Sequence, residues 1–183
     1  MLVLATSSAG VAYAAYSARV QNTANRITAG TVVLSDNDGG QAMLSLTNAA
    51  LGASDTSCVR TTYDGTLPSG VRHYATVTGA LAPYLTLRVT RGAGAGTFDS
   101  CTGFTADATN YIGAGAGVIY DGKLSGYPTS AAAAIVDPSD AGGPETWIAG
   151  ETHDYRFQVT LDNDPAAGGL AATATFTWQA ASP

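Results

Sequence analysis

The chain has 183 residues with 14 acidic and 8 basic side chains, and charged residues make up only 12% of it. A formal charge of −6, a single lysine (Lys123) and scattered arginines exclude the charge-driven partners, nucleic acid and anionic membrane surfaces. The length is that of one domain with a real core, and 22 glycines with abundant Ala and Thr point to a secreted or surface β-protein.

Residues 1–14, MLVLATSSAGVAYA, are small or apolar and uncharged, and too short to span a bilayer as a mature helix. They read as the later part of a signal peptide. Ala12 and Ala14 hold the small positions of an A-x-A cleavage site, and Ala15 becomes the first mature residue. An ordinary apolar first strand is the alternative. Residues 15–30 then form an N-terminal arm, and residues 31–183 a single domain.

Within RITAGTVVLS (26–35), Ile27, Val32 and Leu34 are candidate inward residues of a strand, and SDNDGG (35–40) is a turn. Alternation predicts strands over 41–48, 57–65, 71–79 and 84–92. In the last of these Leu85, Leu87 and Val89 share a face with Arg91. Residues 92–117 lack a period and read as a long Gly-rich loop. A strand over 118–127 precedes PTSAAAAIV (128–136), the stretch that reads as helix, with Thr129 or Ser130 as its cap. After a loop at 137–145, a strand within 146–162 places Tyr155, Phe157, Val159 and Leu161 on one face. A turn over 163–169 leads to a strand over 170–180 that aligns Ala172, Ala174, Phe176 and Trp178. The expected fold is all-β: a jelly-roll-type antiparallel β-sandwich with one short helix and a long Gly-rich loop.

The sequence holds no catalytic signature. His73 and His153 lie in no spaced metal motif and read as surface or edge histidines. There is no G-x-S-x-G, no P-loop and no dinucleotide fingerprint. The expectation is a non-enzyme with no metal and no cofactor. Two acidic turns, Asp36-Asn37-Asp38 and Asp162-Asn163-Asp164, offer oxygens to calcium, although tight turns use the same residues without an ion. Nine tyrosines make a carbohydrate platform only if they cluster on one face. Cys58 and Cys101, in an exported chain, read as one disulfide closing a loop of about 40 residues. Two buried free thiols are the alternative.

The stretch AYAAYSARVQNTANRITAGTVVL (12–34) resembles the start of the TasA/camelysin family. Tyr13, Tyr16 and Ser17 stand at the cleavage-region positions, and Asn25, Ile27 to Thr31 and Leu34 match the segment that follows, with Ile where Phe is usual. VIYDGKL (118–124), WIAGE (147–151), YRFQVTLD (155–162) and FTWQA (176–180) are similar to later elements of that family, in the same order. The two cysteines, the glycine loop and the missing basic n-region depart from its pattern. The resemblance implies a jelly-roll sandwich and a secreted subunit of extracellular fibres, either biofilm matrix or cell surface. It also implies a membrane association only before cleavage, and a partner that is a second copy of the chain, joined head to tail, with other matrix or surface components possible.

In such fibres the N-terminal arm of one subunit completes the sheet of its neighbour; here Tyr16, Val20 and Ile27 are the apolar anchors. The alternative for the arm is pairing within its own sheet as an edge strand. A monomeric adhesin or glycan-binding sandwich is the competing function. A camelysin-like metallopeptidase stands behind both, since no zinc-protease motif is present.

Overall fold

The computed structural model describes residues 30–182. The cleavage residues Ala12, Ala14 and Ala15 and the arm anchors Tyr16, Val20 and Ile27 lie outside them.

Two antiparallel sheets face each other. The larger has the order β1 (Leu34–Asp36), β2 (Ser54–Tyr63), β8 (Glu151–Leu161), β4 (Leu85–Ala93), with β5 (Thr105–Ala106) and β6 (Val118–Lys123) both on the far side of β4. The smaller has the order β7 (Ile135–Val136), β3 (Gly70–Thr78), β9 (Thr173–Ala181). The chain crosses between sheets after β2, β3, β6, β7 and β8, as in a jelly roll. Every long strand is a period-two run, so one face of each points inward. From β4 come Leu85, Leu87 and Val89; from β8, Tyr155, Phe157, Val159 and Leu161; from β9, Ala174, Phe176 and Trp178. These meet as one core, with the Phe157 and Phe176 rings 4.7 Å apart. Tyr63, Val71 and Trp147 form a smaller cluster near one end.

That end is the exit end. It gathers Tyr63 paired with Glu151, the start of β3 bridged by Ser69 to Trp147, and the first described residues, where the Thr31 carbonyl accepts from the Thr66 and Leu67 amides. The opposite end gathers Ser54 beside Thr160, Thr78 beside Thr173, and the Leu81 amide on the Ala171 carbonyl.

The Gly-rich loop is pinned as expected, by a disulfide from Cys101 to Cys58 on β2. Arg156 of β8 stacks its guanidinium over Phe104 of the loop at 5.0 Å. Glycine is required where the loop returns to β4. Gly117 has φ +69°, and a Cβ there would strike the Arg91 carbonyl. Gly92 has no room for a Cβ against the Thr105 carbonyl.

Three expected elements differ. Residues 41–48 are not a strand. They form a strap whose Met43, Leu44 and Leu46 pack on the core, while Ser45 donates its amide to the Asp55 carboxylate instead of a ladder partner. The alanine run of 128–136 is a turn, with one bond from the Ala133 amide to the Ser130 carbonyl, and its end becomes β7 against Arg72 and His73. Four alanines between Pro128 and Asp137-Pro138 are too few to offset helix nucleation, and the pairing of Ile135 with β3 wins. Short 3₁₀ turns at Ala82–Tyr84, Leu124–Gly126 and Pro165–Ala167 are the described helical elements. Finally, Val32 is exposed; within 30–36 the strand is only Leu34–Asp36.

The disulfide spans 43 residues of sequence. Replacing both cysteines by serine is expected to lower unfolding free energy by roughly 4 kcal/mol in the chain-entropy account. A shift in the denaturant midpoint at constant m-value is the check.

Candidate functional site

Two features stand out: a polar cluster inside the exit end and an apolar groove along one open side.

The polar cluster grows from Arg91, the last inward residue of the β4 face whose earlier members are Leu85, Leu87 and Val89. It is 2% exposed. A cation there needs partners, and three segments supply them. Nε donates to Asp137 at 3.2 Å; one amino group donates to Asp107 at 2.5 Å and to the Tyr111 hydroxyl at 3.1 Å. The other reaches Glu145 at 3.4 Å and His153 Nε2 at 2.9 Å. Burial works against the guanidinium charge; Asp137 and then Asp107 overcome it and hold Arg91 above its ordinary value. Asp137, fully buried, also accepts from Trp147 Nε1 at 3.0 Å and Tyr155 Oη at 2.7 Å. Burial pushes its carboxyl up, and Arg91 and these donors pull it back. The cluster is thus a structural clamp that ties β4 and β8 to the 107–111 and 137–147 segments.

Ligand atoms of Glu145, Glu151 and His153 lie within 4.8 Å of one another, the spacing a metal ion needs. The Arg91 amino group already stands 2.9 Å from His153 Nε2, so positive charge is supplied to this trio from within the chain. The sequence signal for the cluster was Arg91 on an apolar face; its carboxylates are distant in sequence, and nothing there assigned them to it.

The sequence-named candidates fall elsewhere. Asp36 and Asp38 each accept from an amide within their own turn, and Asn37 accepts from the Arg60 amide. Burial, then contact with Asp38, raises the Asp36 carboxyl. Asp162 takes Lys123 and Thr86, and the hydrogen bond from Lys123 lowers its carboxyl. Asp164 caps the Pro165–Ala167 turn. Both acidic turns therefore use their oxygens locally. Tyr63, Tyr127 and Tyr155 are buried, so the tyrosines form no exposed platform at these positions. His153 sits beside Glu151 as expected, but half-buried. His73 is not at the surface: it is 1% exposed, between Tyr127, Tyr155 and Trp178.

The groove lies on the side where β9 ends the smaller sheet. Among the described residues β9 pairs only with β3, so its other edge is open. Beneath this edge is a cavity of about 610 Å³. Its floor includes Val59, Leu87 and Val159, its β9 wall Ala174, Phe176 and Trp178, and its far wall the strap at Met43 to Leu46. A smaller hollow of about 220 Å³ extends it towards β1, lined by Leu34, Thr61 and Trp178 among others. Thr61 Oγ1 and Trp178 Nε1 are buried without a hydrogen-bond partner among the described residues. Buried polar atoms are normally paired, so among the described residues this side lacks groups that complete it. The groove combines an open strand edge, an apolar bed and two unmet polar atoms, which suits an extended peptide.

Among the described residues no helix is long and apolar enough to cross a membrane. No protein-family model matches the chain, and no curated protein matches it.

Two outcomes follow from the buried groups. Arg91→Met strands Asp137 without its cation and is expected to cost about 3–5 kcal/mol in denaturant unfolding, part of which Asp137→Leu restores in the double variant. Burial lowers His73 from 6.5 to about 3. The unfolded chain therefore takes up this proton first. The stability from neutral His73 is complete above pH ~6.5 and is lost as pH falls towards ~3, at up to about 1.4 kcal/mol per pH unit. In unfolding curves collected across that window, His73→Phe flattens the slope by up to one proton's share.

Proposed function

We propose that this chain is a secreted structural subunit that polymerises into extracellular fibres by donating its N-terminal arm to the groove of a second copy. The observation that carries the proposal is the β9 edge left open among the described residues above a mainly apolar groove, with Thr61 and Trp178 unsatisfied among those residues beside it. An added strand pairs with the edge through its backbone and sets alternate side chains into the bed. Residues 15–29 supply it. In strand form they extend about 50 Å, against about 30 Å for β9. Tyr16 and Val20 share one face of such a strand and fill the cavity; Ile27 falls on the other face.

The strap does not block this. Its apolar side chains pack on the core, but Met43 to Leu46 make no ladder pairing, so an entering strand displaces side-chain contacts and not a strand ladder. The disulfide fits an oxidising, extracellular setting. Head-to-tail donation is heterologous and propagates instead of closing. The resemblance of residues 12–34 to the TasA/camelysin family supports the same reading.

The test compares the secreted chain starting at Ala15 with a chain starting at Gly30, by negative-stain electron microscopy. Fibres from the first and monodisperse particles from the second are expected. A peptide of residues 15–30 is expected to raise the melting temperature of the shorter chain in a concentration-dependent way. Particles from both chains, with no effect of the peptide, refute the proposal and move a monomeric surface-binding sandwich to first place.

A further inference from the structure

Large apolar side chains are exposed at both ends of the sandwich. At the exit end are Val32, Val33, Leu67 and Ile148, the last 59% exposed. Their segments are tied together by backbone bonds: Thr31 to Thr66 and Leu67, Val33 to Asp64, Tyr63 to Gly150, and Ser69 to Trp147. At the opposite end Leu51 and Leu170 are exposed. Gly52 there bonds the Leu161 carbonyl, and Leu170 immediately precedes the Ala171–Ala174 approach to β9. The groove reaches this second end, since Leu81, Leu85 and Ala172 line it. The eleven residues of β8 put roughly 35 Å between the two ends.

We infer that the exit-end patch of one copy docks on the Leu51–Leu170 end of the next, forming a second, rigid contact around the inserted arm. This rests on the arm-donation reading and adds its polarity. The described chain starts at Gly30, within the exit-end patch, and 29 residues precede it in the sequence. An arm leaving there and entering the neighbour's groove from its nearer mouth brings those two ends face to face. Apolar surface at both then leaves water together. Because the two patches lie at opposite ends of one rod, every docked copy presents a free patch of the other kind. The contact adds subunits in one direction and cannot close as a symmetric pair.

Two single variants of the full mature chain test this: Ile148→Glu, altered at the exit end, and Leu170→Glu, altered at the groove mouth. Both sites are solvent-exposed, and unchanged melting temperatures confirm folding. Each variant alone is expected to elongate about tenfold more slowly than wild type, or less, in light scattering, because a charge must be desolvated at every contact. Mixed, they retain one intact pair of ends, and are expected to form particles of two subunits, one of each kind, in size-exclusion chromatography with light scattering. Wild-type elongation by both folded variants overturns the docking surface while leaving arm donation intact. Folded variants that fail alone and form no mixed pair overturn the assigned polarity. If the wild-type chain itself does not elongate, the arm-donation reading fails and this inference falls with it.

Discussion

Arg91 takes a full positive charge into the interior of a sandwich whose other inward residues on that strand are Leu85, Leu87 and Val89. Such a charge is tolerated only when opposite charge and hydrogen bonds surround it. That requirement draws Asp137 and Glu145 from one connection and Asp107 and Tyr111 from another, and sets His153 of β8 against the guanidinium. Asp137 in turn fixes Trp147 and Tyr155. One end of the sandwich is thereby closed by directional bonds. The irregular 137–147 segment has a defined path because its polar groups have specific partners.

The open side is built differently. Its lining is mainly apolar, from Val59 to Trp178, and the strap that forms its far wall contributes Met43, Leu44 and Leu46 without ladder pairing. Apolar contacts are non-directional and tolerate exchange of one apolar partner for another of similar volume. The clamp and the groove thus differ in kind: the clamp holds its segments by directional bonds, whereas the groove is lined mainly by non-directional contacts. The disulfide and the glycine loop brace the outside of β2 and β8, leaving the inner faces free.

Much of the fold was legible in the residues. The alternation over 84–92, 155–161 and 172–178 names the inward faces correctly, because side-chain direction in a strand is a property of period two alone. The pairing of Cys58 with Cys101 followed from there being two cysteines. The misassigned elements were those whose local pattern was weak and whose partners were remote. Residues 41–48 alternate like a strand, but they form no ladder, and the Ser45 amide goes to the Asp55 carboxylate instead. Residues 128–136 favour a helix only weakly, and Ile135 gains more from β3. His73 read as an edge residue because sequence does not show that Tyr127, Tyr155 and Trp178 surround it.

The sequence by itself determined the inward faces of β4, β8 and β9, that the protein is all-β, and that one disulfide is available. Those properties depend on residue type and short-range period. Only the tertiary structure decided that Arg91 would meet Asp137, that Thr61 and Trp178 would find no partner among the described residues, and that β9 would pair among them only with β3, beside a groove. It also decided that the exit end and the groove mouth lie at opposite ends of the sandwich. Each of these depends on residues far apart in the chain, and their positions are set by how two sheets stack, which no local pattern encodes.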